Sequence, residues 1–363
     1  MKKKVIKPLK NKNTNSPALL GQMDKFLKEP RMLIGAVAAI LVIVLLAVIV
    51  GKKGDVAGDF VSPKEKARVA AFQQLSRMDS KTKQGVSMRL VPYLKNNEVS
   101  VRYLALDAIG SMREDASGTV DALVKVLRED KDPGVQEKAG RTLGYIGAPA
   151  MAAVPVLLGG LKDPAVGVRS GSAAGLAGIA PNQPEVVPAL IAALSDPNPQ
   201  VRANVTGALL AQGEKARPAT KHLLECLKDN SDQVRANAAA SLGKIKVDAK
   251  TALAPLSMLL VSDISPNVRL EAMNAIGEMG PSAVKAITPL RVLLRDGNPT
   301  LRSTAAAVLG MIGPQSAPAV PDIIKLLDDP EKWVGQKAAE ALTKIGGSTA
   351  VNAVEQYNSK KKL

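Results

Sequence analysis

Hydrophobic positions along this chain follow two different patterns. Residues 32–50, MLIGAVAAILVIVLLAVIV, are apolar throughout, with no polar position at helical spacing. From about residue 63 onward, apolar residues recur three and four apart in short stretches. Asp, Pro, Asn and Gly interrupt them, the pattern of amphipathic helices joined by tight turns. No strand is expected, and the reading predicts an all-α chain.

A helix over 32–50 would be about 28 Å long, close to the roughly 30 Å hydrocarbon thickness of a bilayer. A buried core helix would show polar positions at helical spacing. A signal peptide would have a shorter apolar region and a small-residue cleavage site, which Gly51-Lys-Lys-Gly-Asp does not offer. The run therefore predicts an uncleaved transmembrane anchor. Nine cations precede it (Lys2, Lys3, Lys4, Lys7, Lys10, Lys12, Lys25, Lys28, Arg31) and five follow it up to Arg68. This bias places the N-terminus in the cytoplasm and the rest outside, as in a bacterial inner-membrane protein facing the periplasm, although Lys52 and Lys53 on the exit side oppose it. Residues 1–31 read as a basic disordered tail able to meet anionic lipid, and 51–62 as a linker.

The remainder is one repeat. An apolar residue followed by Arg opens a small-residue helix ending near Leu/Ile-Gly: VRYLALDAIG from Val101, VQEKAGRTLG from Val135, VRSGSAAGLAG from Val168, VRANVTGALL from Val201 and VRANAAASLG from Val234. VRLEAMNAIG from Val268, LRSTAAAVLG from Leu301 and VGQKAAEALTKIG from Val334 continue it at spacings of 33 or 34 residues. Ala67-Arg68 begins a degenerate first copy. Each unit reads as two helices. The first is terminated by a glycine such as Gly110, Gly144, Gly243, Gly277 or Gly310. The second carries Pro155, Pro188, Pro255 or Pro321 in its opening turn. The solenoid is expected over 63–346, with a helix end and basic tail over 347–363.

Two residue types recur once per unit. Arg102, Arg169, Arg202, Arg235, Arg269 and Arg302 follow the anchors, and Asp163, Asp196, Asp229, Asp263, Asp296 and Asp329 lie five residues before the next ones. Asn96 takes the acidic place in the first full copy, and either Asp130 or Asp132 fills it in the next. A structural ladder of Arg–Asp pairs is the expected arrangement, with the aspartates also capping backbone N–H groups. A row of arginines could instead grip phosphates. The ladder breaks at Gln136 and Gly335.

Composition narrows the chemistry. The chain has 363 residues and a net charge of +16, but only 3 Phe, 4 Tyr and 1 Trp, so the core must be built from small aliphatic side chains. One cysteine and one histidine exclude thiolate clusters and paired-histidine metal centres. Residues 1–62 hold 11 basic and 4 acidic groups and the rest 38 and 29, a modest excess that argues against a nucleic-acid partner. His222, Glu225 and Cys226 share one helical turn, but no third group orients them as a nucleophile and base require.

The Asp-Pro-x-x-x-Val-Arg pattern, as in DPAVGVR at Asp163 and DPNPQVR at Asp196, followed by small residues and Leu-Gly-x-Ile-Gly, resembles HEAT repeats of the short form found in phycobilin lyases. The resemblance implies a right-handed α-solenoid of eight to nine two-helix units, whose second helices line a concave, mildly apolar surface for a protein partner. Lys221, His222, Glu225, Arg291, Asp322 and Lys325 are the candidate contacts there. The iron-holding His-Glu pairs of deoxyhypusine hydroxylase are absent, since Leu223 follows the only histidine. The expected function is a membrane-tethered, non-catalytic interaction scaffold without cofactors. A subunit of a bilin-lyase-like modifying enzyme is the alternative, and a nucleic-acid binder comes third.

Overall fold

The computed structural model describes residues 55–180 and 182–360. The chain divides into two compact units, Met1–Asp59 and Phe60–Leu363. Of the first, residues 55–59 are described, where helix α1 (Val56–Phe60) begins. The account below concerns the second unit.

Among the described residues there is no strand, and helices follow one another in pairs. The first pair is α2 (Glu65–Leu75) and α3 (Ser80–Leu90). The anchors then open the even-numbered helices: α4 (Val99–Ser111), α6 (Pro133–Ile146), α8 (Val166–Ile179), α10 (Pro199–Gln212), α12 (Asp232–Lys244), α14 (Pro266–Glu278), α16 (Pro299–Ile312) and α18 (Lys332–Ile345). The odd-numbered helices alternate with them: α5 (Val120–Glu129), α7 (Val154–Gly160), α9 (Val186–Ala193), α11 (Thr220–Cys226), α13 (Ala249–Ser262), α15 (Ile287–Leu293), α17 (Val320–Lys325) and α19 (Ser348–Lys360). This is an all-α helical-repeat solenoid.

The even helices start where turn chemistry dictates. Asp132, Asn198 and Asn298 accept the first free N–H groups of α6, α10 and α16 (2.8–2.9 Å to Val135, Gln200 and Thr300), and Pro133, Pro199, Pro266 and Pro299 occupy opening positions that need no donor. The core lies between the two rows. One leucine position recurs in successive odd helices as Leu123, Leu157, Leu190, Leu223, Leu256 and Leu290, all fully buried. Each such side chain contributes roughly 2 kcal/mol.

Three expectations need correction. Gly110, Gly144, Gly243, Gly277 and Gly310 do not terminate helices but lie inside them. The chain turns up to three residues later, at positive-φ residues such as Gly147 (74°), Gly213 (57°) and Gly313 (82°). The inner glycines serve packing instead: a Cβ on Gly310 would stand 2.9 Å from the Ala341 Cα of α18, and one on Gly243 3.0 Å from the Ala275 Cα of α14. The second correction concerns Pro255, which sits within α13 rather than in its opening turn, because Asp248 caps that helix early through the Lys250 N–H (2.8 Å). In the other full units a 3-10 turn, or an irregular link before α9, occupies the corresponding stretch.

The third concerns the single-pass membrane placement. Among the described residues no helix is long and apolar enough to cross a membrane. The 32–50 segment that was to supply the anchor lies outside the described residues, as do the basic tail of 1–31 and residues 51–54 of the linker, whose remainder holds helix α1. The placement with N-terminus inside and array outside is therefore withdrawn.

Candidate interaction surface

The Arg and Asp rows meet at the turns between units. Each arginine reaches forward to the acidic residue of the following turn: Arg102 to Asp130 (2.9 Å), Arg169 to Asp196 (2.6 Å), Arg202 to Asp229 (2.7 Å), Arg235 to Asp263 (2.7 Å), Arg269 to Asp296 (2.6 Å) and Arg302 to Asp329 (2.8 Å). Arg169, Arg202, Arg235 and Arg302 grip both carboxylate oxygens. Their Nη1 groups donate backward to the carbonyls of Asp163, Asp196, Asp229 and Asp296 (2.8–2.9 Å). One guanidinium thus ties two successive turns.

The carboxylates are also held by the backbone, Asp229 by the Ser231 N–H and Asp263 by the Ser265 N–H (2.8 and 2.9 Å). Burial pushes both carboxyls up, but the paired arginines and these N–H groups outweigh it and leave them below the ordinary value. At Asp329 the Arg302 bond leads and the direction is the same.

The irregular copies are explicit in the same terms. Asp130 takes the ladder place, while Asp132 caps α6. Arg68 keeps the backward bond, to the Ser62 carbonyl (2.7 Å). Gln136 keeps it too, to the Asp130 carbonyl (2.8 Å), but is too short to bridge forward, so Asp163 holds only the Ala165 N–H (2.8 Å).

The six candidate contacts all lie on odd helices. Lys221 and Glu225 are exposed on α11, and His222 is half-buried with Nδ1 enclosed and unpartnered. Burial, then Asp229 and Glu225, push the Cys226 thiol up to about 11, far from the thiolate a nucleophile needs. Arg291, Asp322 and Lys325 come together around the nearly buried Asp322 carboxylate, with Arg291 Nη2 at 2.7 Å and Lys325 Nζ at 3.7 Å. Arg295, not singled out from the sequence, adds a bond of 2.9 Å. Arg291 and Arg295 hold this carboxyl below its ordinary value. The cluster fastens α15 to α17.

The open surface lies on the other row. Two grooves of about 610 Å³ each are lined by even helices: Arg141, Tyr145, Gly178, Asn204 and Asn237 among others in one, and Lys244, Glu271, Glu278, Met311 and Trp333 among others in the second. Both draw on α10 and α12, so together they form one trench from α6 to α18. The side chains that face it stand one residue before and three, six and ten after each anchor, a single stripe at helical spacing. The sequence placed the partner contacts on the second helices; the continuous groove runs along the first. Most odd helices have only six to eight residues and spend them on core leucines and turns, whereas the even ones have thirteen or fourteen and leave a whole face free. In α8 and α10 the sequence carries only small and amide residues at those four positions (Gly167, Gly171, Ala174 and Gly178; Gln200, Asn204, Gly207 and Ala211).

Comparison with known proteins follows the same lines. The family model described as HEAT repeats matches residues 87–177, 154–243, 220–294 and 287–361. No curated protein gives a significant match. Among solved structures, Kap121p superposes with a TM-score of 0.55 at 14% identity, over 77% of this chain and 36% of that one. Kap121p bound to the SUMO protease Ulp1p gives 0.57 at 14%, over 92% and 38%. A model of the AP-3 complex in an intermediate open conformation gives 0.58 at 16%, over 82% and 58%. The chain thus spans between about a third and three-fifths of these chains, and the likeness is one of fold.

Proposed function

We propose, starting from the fact that this chain belongs to the HEAT-repeat family, that it is a non-catalytic scaffold whose protein partner lies along the even-helix trench. The observation that carries this reading is the trench itself. It crosses seven successive even helices and leaves large side chains open at both ends, Tyr145 at one and Met311 and Trp333 at the other, about half exposed. Apolar side chains kept open along a continuous surface mark interaction sites. That the karyopherin Kap121p is described bound to Ulp1p and to the C-terminus of Cdc14p supports a protein as the partner class.

The experiment is site-specific photo-cross-linking in the native cells. Benzoylphenylalanine at Ala307, in the trench, should give discrete protein adducts, and at Glu225 on the odd face it should not. Adducts from Glu225 alone would refute the assignment.

A further inference from the structure

The trench changes character along its length, and the change says what kind of segment it holds. Its middle, from Ala174 on α8 to Asn237 on α12, is floored by small residues such as Ala174, Gly178, Ala203 and Gly207, and the charged side chains nearest to it, Arg141 on α6 and Lys244 at the end of α12, stand at its edges. Two amide pairs stand over this floor at equivalent places in successive units. Gln200 Nε2 donates to Asn204 Oδ1 (3.3 Å), and Asn204 Nδ2 donates to the Ser170 carbonyl (3.1 Å). One unit on, Gln233 Nε2 donates to Asn237 Oδ1 (2.9 Å), and Asn237 Nδ2 to the Ala203 carbonyl (2.9 Å). The asparagines are locked to the neighbouring helix. Each glutamine side chain keeps a carbonyl oxygen and a second N–H that bond nothing else among the described residues.

Resting on the scaffold reading, we infer that the trench binds an extended segment of a partner protein with an uncharged centre, gripped through its main chain by the Gln200–Asn204 and Gln233–Asn237 pairs and anchored by apolar side chains against Met311 and Trp333. Spacing supports the extended form. Packed helices stand about 8–10 Å apart, so amides on successive helices repeat at that interval. Three residues of polyproline II chain advance about 9.3 Å, so every third peptide unit meets an amide pair. Electrostatics selects the composition. A charged side chain laid over the floor between Arg141 and Lys244 would be desolvated away from both cations, whereas a neutral backbone finds both a donor and an acceptor. The apolar end supplies the anchors, where Met311 near the end of α16 and Trp333 at the start of α18 line the groove with Val308 and Ala307.

The test pans the full chain against a phage-displayed library of random 16-residue peptides. Enriched peptides should share an uncharged centre and an apolar residue near one end, and synthetic copies should bind at least tenfold more weakly once a central residue is changed to Lys. Gly207→Met is the blocking variant. A Cβ at Gly207 meets only Asn237 Nδ2, at 3.5 Å, so the helix accepts the change while the side chain fills the floor. It should keep the thermal midpoint and lose at least tenfold in peptide affinity. Enrichment of amphipathic helical motifs, no enrichment at all, or affinity untouched by Gly207→Met would each overturn the inference. Should the Ala307 cross-links persist in those cases, the scaffold reading stands and only the extended segment falls. Loss of both removes the trench as an interaction surface.

Discussion

Arg235→Ala tests the ladder where its geometry is most complete. The guanidinium grips Asp263 through Nε and Nη2 (2.7 and 3.0 Å) and donates Nη1 to the Asp229 carbonyl (2.8 Å). The arginine side chain is 15% exposed and the aspartate only 5%. Exposed ion pairs contribute about 0–1 kcal/mol, and breaking buried ones costs about 3–5. Here Asp263 keeps the Ser265 N–H and some water reaches the arginine side, so the cost falls between. Two charge-assisted bonds at roughly 1.5 kcal/mol each, the low end for such bonds, give about 3 kcal/mol. The assay is urea unfolding of wild type, Arg235→Ala, Asp263→Ala and the double variant. Coupling of about 2–3 kcal/mol between the two sites is expected. The denaturant slope should shallow in Arg235→Ala if the array splits at that joint, since a repeat array is held unit to unit. A loss below about 0.5 kcal/mol would mean that the pair behaves as a surface contact and does not join the units.

Other outcomes follow from the same geometry. Asp229, Asp263 and Asp329 titrate below the ordinary carboxyl value when folded, so the stability they contribute is complete above that value and lost as pH falls through the lower folded one. The urea midpoint of wild type should therefore fall steeply below about pH 4, and Arg235→Ala should show a shallower acid limb; parallel limbs would contradict this. Gly140→Ala and Gly207→Ala should have opposite signs by calorimetry. A Cβ on Gly140 would fall on the Gly171 carbonyl and cost about 2 kcal/mol or more, whereas one on Gly207 makes only an ordinary contact with Asn237 Nδ2 (3.5 Å) and gains about 0.5–1 kcal/mol of helix propensity. Ala180→Gly should add about 1 kcal/mol, because Ala180 ends α8 in the left-handed region (φ 44°). Cys226, with its thiol pushed up to about 11, should react with a thiol reagent at pH 8 only as fast as the chain unfolds.

The repeat, the Arg and Asp positions and the all-α class were legible because each rests on sequence spacing alone. The period sets which residues share a turn, and a charged pair at fixed offset needs no other information. What was not legible depends on which helices lie side by side. Gly144 and Gly310 look like terminators in a single sequence and are in fact contact points, since only the neighbouring helix shows what a Cβ there would strike. The open trench was not legible for a related reason. Which row of helices stays open depends on how many residues each spends on the core, and that is fixed by the 3-10 turns that shorten most of the odd helices. Asp322 looked like a surface contact because Arg291 and Arg295, one unit earlier, close over it only in three dimensions.

The missing rung at Gln136 has a mechanical meaning. Between α6 and α8 no guanidinium bridges forward to Asp163, and in its place the two backbones touch, Gly140 against Gly171 and Gly144 against Gly178. Most other joints between units carry a charge pair that weakens with salt to the extent that water reaches it, and those closed by Asp229, Asp263 and Asp329 weaken with acid as well. This one is held by contact alone. High ionic strength, or low pH at the three joints closed by Asp229, Asp263 and Asp329, should therefore soften the charged rungs and leave the α6–α8 seam unchanged.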